Sequence, residues 1–271
     1  MLRFENVFFY RESANTISEV SFDLREGEFA ALIGENGAGK STLCRLCNGL
    51  LKPASGRVTV CGHDTATVST SRIARDTGFL FQNPDMQLCQ NTVYGEIMFG
   101  LEYALSDPEE RKRRTGEILE LFSLDGGRDP FSMSRGERQH VALASILACK
   151  PRLLILDEPT TGLDYRECVT IMGIISRLHS DGTTILMVSH DMEVVADFAV
   201  RALVLSKGRL IADGPVRQIM KDKKVLDEAS LLPPQIPALA MLIGGDFSDV
   251  LTADEMAETA ERAVRQKGAR K

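Results

Sequence analysis

Apolar residues follow two periods along this chain, and the order in which the periods alternate predicts the architecture. Phe4, Val7, Phe8 and Phe9 begin a strand-like stretch. Val20, Phe22 and Leu24 then alternate strictly with polar neighbours, as a half-buried strand does, and a Glu26–Gly27 turn follows. Residues 29–33 (FAALI) are apolar without a break and stop at Gly34, which predicts a strand buried on both faces. Residues 41–51 have helical spacing and halt before Pro53, and 56–61 and 78–81 are further short strands. From 92 to about 124 the pattern turns helical and more charged, with Asp107-Pro-Glu-Glu110 placing acidic side chains at a helix start. Residues 134–149 form another helix and 153–156 a second wholly apolar strand; 185–188 and 202–205 continue the alternation. Strands separated by helices in this order predict an α/β chain whose mostly parallel sheet is covered by helices, preceded by antiparallel strands.

Near 219–227 the lysines at 221, 223 and 224 interrupt the pattern, which predicts a boundary. Leu231-Leu-Pro-Pro-Gln235 is a break, followed by helical segments at 236–243 and 253–264, the second with Thr252 and Glu255 spaced for a capping box. About fifty residues are too few for a separate core, so the segment 221–271 is expected to lean on the main domain or on a partner.

The 271 residues carry 32 Lys plus Arg against 38 Asp plus Glu, a formal net charge of -6. That sign argues against a chain that lives on a nucleic-acid backbone, but not against a small anion held by a local site. The longest nearly apolar run, 141–149, is about half of what a bilayer crossing needs. The N-terminal residues lack the layout of a secretory leader. Six cysteines are scattered, and Cys44-Arg-Leu-Cys47 offers two ligands where a structural zinc takes four, so reduced thiols are expected. The basic run at 111–114 is read as a solvated helix face, and His63, His140 and His179 as packing or surface residues.

The sharpest chemical signal is Gly34-Glu-Asn36-Gly37-Ala38-Gly39-Lys40-Ser41-Thr42, a complete Gly-x-x-x-x-Gly-Lys-Ser pattern between a buried strand and a helix. Such a loop answers dense negative charge. Its glycines let the backbone wrap a phosphate chain, so that successive amides and the helix N-terminus face the anion. Lys40 would reach the β- and γ-phosphates and Ser41 would give a hydroxyl to magnesium. Asp157, emerging from the apolar strand 153–156, fits a magnesium ligand, and Glu158 fits the group that orients or deprotonates water. His190 closes another buried strand at the same sheet edge.

These motifs, in this order and spacing, resemble the nucleotide-binding subunits of the ATP-binding cassette superfamily over about residues 1–220. The resemblance implies a P-loop nucleotide hydrolase core with an N-terminal antiparallel β subdomain and a helical signature subdomain at about 92–145. It implies ATP and Mg2+ as ligands. Tyr10 would stack on adenine, with strand packing as the rival reading. Gln82 would sense magnesium or the attacking water, Asp164 would join the two cassettes, and His190 would contact the γ-phosphate. Ser134, Gly136 and Glu137 of the signature segment would cover the nucleotide of a second cassette, identical or related. The family's usual Leu-Ser-Gly-Gly-Gln stands here as Met133-Ser134-Arg135-Gly136-Glu137. Arg135 either obstructs close approach or adds attraction to phosphate.

Phe81-Gln-Asn-Pro-Asp85-Met-Gln87 and the segment around LPPQIPALAMLIGG resemble more narrowly the ATPases of energy-coupling factor transporters. That implies a short C-terminal extension (221–271) stabilising the pair, a transmembrane coupling subunit, a substrate-binding membrane subunit, and a peripheral site at the cytoplasmic face of the cell membrane. The cargo would be a transition metal ion or a vitamin. An importer fed by an extracellular binding protein, an exporter, and a soluble cassette acting outside transport are the alternatives.

Overall fold

The structure is a computed structural model and describes residues 1–11 and 14–268. Among the described residues ten strands form two sheets: β1 (Leu2–Arg11), β2 (Ala14–Leu24), β3 (Phe29–Ile33), β4 (Ser55–Val60), β5 (His63–Asp64), β6 (Thr77–Leu80), β7 (Leu153–Asp157), β8 (Thr184–Val188), β9 (Arg201–Ser206) and β10 (Arg209–Pro215). The antiparallel sheet runs in the order β2-β1-β4-β5, and the larger sheet in the order β10-β9-β3-β8-β7-β6. In the latter β9, β3, β8, β7 and β6 are parallel and β10 is antiparallel at the edge.

The uninterrupted apolar runs are explained by the sheet's two covered faces. Side chains alternate across a strand, and here both sides meet a core. Phe29, Ala31 and Ile33 join one apolar cluster with Leu154 and Leu156, while Ala30 and Leu32 join the other with Leu153 and Ile155. Cys44 and Cys47 belong to the second cluster; both are fully buried, and burial pushes their thiols up. Those two cysteines are packing groups.

Two expectations are revised and one is met. The first helix spans Lys40–Cys47 rather than 41–51, because the chain enters a left-handed turn at Gly49 after the Asn48 cap. The helix start expected at Asp107-Pro-Glu-Glu110 is found, and the stretch from 92 onward comprises Val93–Ala104 and Pro108–Leu121. Pro108 disfavours helical backbone in the residue before it, and Asp107 instead caps the second helix by accepting from Glu109 N at 3.0 Å. Short helices Val216–Ile219 and Lys223–Glu228 run through the expected boundary. Lys223 and Lys224 are exposed on the latter, whereas Leu226 and Ala229 are buried.

The helices Gln235–Ile243 and Ala253–Gly268 pack back on the preceding domain. Leu251 enters the first core cluster, Gln235 N donates to Glu193 Oε1 at 2.6 Å, and Lys221 pairs with Asp249 at 2.5 Å. Glu255 N donates to Thr252 Oγ1 at 3.3 Å, and the Glu255 carboxylate accepts from Leu251 N and meets Arg217. No helix among the described residues is long and apolar enough to cross a membrane.

Candidate active site

Parallel pairing brings the C-terminal ends of β3, β6, β7 and β8 to one edge of the sheet, where the loops carrying the sequence-predicted residues begin. After β3 the backbone bends at Gly34, where a Cβ would stand 2.0 Å from the Leu205 carbonyl oxygen. Gly39 has φ +105°, and a Cβ there would sit 2.9 Å from both Ile17 Cδ1 and Thr16 O. These contacts require glycine at both positions. Gly39 also serves as N-cap of the Lys40–Cys47 helix without a side-chain cap. The amides of the first turn are thus left for an anion at the positive end of the helix dipole. Ala38 is buried beside them, and Asn36 and Gly37 are exposed.

Lys40 is only 7% exposed, and its Nζ donates to the carbonyls of Gly34 at 2.7 Å and Glu35 at 2.9 Å. The ammonium therefore spans the loop that it would share with a phosphate chain. Burial lowers its pKa, while the charges of Glu158 and Asp157 pull it back up. Asp157, also 7% exposed, ends β7 near the Ser41 hydroxyl. Burial pushes its carboxyl up, and the Ser41 hydroxyl opposes that shift. Ser41 and Asp157 form an all-oxygen donor pair suited to a hard divalent cation.

Glu158 is the hub of the site. Its backbone is left-handed (φ +55°) and its N–H donates to Val188 O at 3.0 Å, which ties the residue to the end of β8. Its side chain is 11% exposed. Oε2 accepts from Gln82 Nε2 at 2.8 Å and from Thr161 Oγ1 at 2.9 Å, while Oε1 lies 3.3 Å from His190 Nδ1. The structure thus joins Gln82, Glu158 and His190 directly and places Lys40 and Asp157 within their field. Thr161 was not singled out by the sequence. Its signal is its place in the Thr160–Asp164 turn, three residues after Glu158.

The signature residues are organised around their own helix. Ser134 caps Arg135–Ala148: its Oγ accepts from Glu137 N at 3.2 Å, and Glu137 Oε2 accepts from Ser134 N at 2.8 Å. Glu137 also pairs with Arg128 at 2.6 Å, and this partner followed by the Ser134 amide holds its carboxyl down to about 2. Gly136 packs so tightly on the Glu167 carboxylate that a Cβ would come within 2.2 Å of Oε1. Glu167 in turn completes a capping box with Asp164 at the start of Tyr165–Ser180. Asp164, Gly136 and Ser134 therefore form one braced corner. Residues after Gln82 are tied to the same helix: Asp85 pairs with Arg138 at 2.8 Å, and Gln87 Nε2 donates to Ala142 O at 2.8 Å. Tyr10 pairs in register with Asn15, next to the Thr16–Ile17 pair that touches Gly39. It is 51% exposed.

The family model described as ABC transporter matches residues 17–161. The chain belongs to the ABC transporter family. A putative ABC transporter ATP-binding protein of Caldanaerobacter subterraneus subsp. tengcongensis is 42% identical over 257 residues, covering 94% of this cassette and 45% of the relative. The cassette thus spans less than half of that relative's length. An energy-coupling factor transporter ATP-binding protein of Acetivibrio thermocellus is 35% identical, with 92% of each chain covered. Among solved structures, a dimeric post-hydrolysis state of the ATP-binding cassette MJ0796 bound to ADP and Pi superposes with a TM-score of 0.73 at 27% identity. The match covers 80% of this cassette and 99% of that chain.

Proposed function

We propose that this cassette is the ATP-hydrolysing subunit of a transporter that takes up a small solute, a transition metal ion or a vitamin, through separate membrane subunits. The observation that carries the reading is the junction of Gln82 and His190 on Glu158, beside Lys40 and Asp157. The triphosphate seats on the amides of residues 34–42, and Lys40 exchanges loop carbonyls for phosphate oxygens. Ser41, Asp157 and Gln82 would hold Mg2+, which when bound neutralises charge on the phosphates. Glu158 orients the attacking water and takes its proton, His190 steadies the γ-phosphate, and Tyr10 offers a face to adenine. Preorganised donors around the reacting phosphate supply most of the acceleration.

A second cassette, identical or related, completes the site by bringing its own Ser134, Gly136, Glu137 and Asp164 equivalents over the nucleotide. The dimeric MJ0796 cassette supports that arrangement. The segment 221–271 would help hold the pair together, and a transmembrane coupling subunit with a substrate-binding membrane subunit would receive the motion at the cytoplasmic face. The named energy-coupling factor relative supports this class of partner.

The test is purification of the full chain with its membrane partners, identification of the attached subunits and bound solute, and phosphate release with MgATP. Recovery of a coupling subunit and a vitamin- or metal-binding membrane protein is the expected result. Recovery with a complex fed by a soluble binding protein would replace the energy-coupling class. Failure to bind MgATP would remove the reading.

A further inference from the structure

Arg135 is the one residue of the signature segment that capping and packing leave unexplained. It opens the Arg135–Ala148 helix, yet its guanidinium folds back onto its own chain. Nη2 reaches the Gln82 carbonyl oxygen at 3.5 Å. Its Cδ, Nε and Cζ lie over Gly162, where a Cβ would stand 3.4, 3.2 and 3.3 Å from them. Gly162 has φ +80° and no side chain, so a flat cation can rest on the turn. No salt bridge involves Arg135 among the described residues.

The two places it touches adjoin the two donors on one oxygen of Glu158. Gln82 donates its side-chain amide to Oε2, and Thr161, next to Gly162, donates its hydroxyl to the same atom. His190 faces the other oxygen. Oε2 is thus occupied by two donors, and a water approaching that oxygen competes with them.

We infer that Arg135 is a positioning residue, an intrachain latch that keeps Glu158 tied to Gln82 and Thr161 until the triphosphate of a second cassette draws the guanidinium away. The inference rests on the function proposed above, because it requires the signature segment to meet a nucleotide. The competition is between a neutral carbonyl with a glycine surface and a polyanion, and a guanidinium prefers the polyanion. On this inference an isolated cassette keeps Oε2 of Glu158 engaged, and filling of the second nucleotide site frees it.

The test compares Arg135→Gly, Arg135→Lys, Gly162→Ala and the double variant Arg135→Gly/Gly162→Ala in the full chain. Without nucleotide, Arg135→Gly should speed hydrogen exchange at the amides of Thr161 and Leu163, which bond to Glu158 O and Thr160 O, by about tenfold. With MgATP, Arg135→Gly should raise kcat by about three- to tenfold at unchanged KM and weaken cooperativity in ATP. Gly162→Ala should do the same, with no further gain in the double variant. Arg135→Lys should restore the wild-type rate only in part, because an ammonium cannot lie flat on the turn. Unchanged exchange, a fall in kcat, or additive effects of the two substitutions would overturn the latch. If the wild-type chain neither binds nor hydrolyses MgATP, the proposed function falls and the release by nucleotide falls with it, while the exchange measurement still decides whether Arg135 braces the 160–163 turn.

Discussion

Replacing Glu158 by glutamine should separate nucleotide binding from turnover, and the geometry gives the size of each effect. A glutamine carbonyl oxygen can occupy the place of Oε2 and keep the donors from Gln82 at 2.8 Å and Thr161 at 2.9 Å. Its amide then faces His190 Nδ1, which a neutral imidazole can present as an acceptor. Both side chains share the same left-handed backbone at φ +55°. Stability should therefore change by less than about 1 kcal/mol, and the phosphate loop is untouched. Loss of the base should lower the rate by about 10²- to 10⁴-fold, which is about 3–5 kcal/mol of activation free energy. The assay is phosphate release at saturating MgATP, with calorimetric titration and urea unfolding of the same preparation. A variant that binds ATP normally yet keeps more than about a tenth of the turnover would show that Glu158 is not the base.

Three further outcomes follow from the site. In the phosphate loop, Gly34→Ala and Gly39→Ala should each cost about 3 kcal/mol or more by combining left-handed strain with contact, because their Cβ atoms would meet neighbours at 2.0 and 2.9 Å. Gly37→Ala, at φ +85° with nothing within 4 Å, should cost only about 1–2 kcal/mol. Equal urea midpoints for all three would discredit the packing argument. Asp157→Asn should leave affinity for magnesium-free ATP nearly unchanged and weaken the response to added Mg2+, as read by nucleotide titration across a magnesium series; an unaltered series would exclude Asp157 as a ligand. Glu137, held at about 2 against an ordinary 4.5, stabilises the fold above pH 4.5 and loses that contribution as the pH falls toward 2. Its side chain is 40% exposed, so solvent screening limits the contribution to about 1 kcal/mol. Glu137→Gln should lower stability by that amount at pH 7 and by much less at pH 2.5; the same loss at both pH values would contradict the assignment.

The residues that could be placed from sequence are those whose role is set locally. The run at 29–33 required two covered faces, and the phosphate loop required glycines at a strand-to-helix bend; both follow from backbone sterics within a few positions. Asp157 and Glu158 were readable because they end such a strand. Gln82 and Asp164 entered through family likeness, His190 through its place at the end of a buried strand, and the structure adds the partners of each: Glu158 for Gln82 and His190, and Glu167 for Asp164. Thr161 and the posture of Arg135 were out of reach, because their contacts depend on how loops far apart in sequence approach one another. The helices through 216–228 were missed for another reason: their apolar positions are few, and lysines on the outer face masked the buried Leu226 and Ala229.

The stretch from Gln82 to Gln87 is fastened at both ends, by the Glu158 carboxylate at one and by Arg138 and Ala142 at the other. A swing of the 135–148 helix relative to the parallel sheet would therefore load this six-residue segment, whose middle is the Pro84–Met86 turn. That load would fall on the Gln82–Glu158 hydrogen bond. The side-chain amide resonance of Gln82 in an isotopically labelled chain would consequently serve as a local gauge of that rotation.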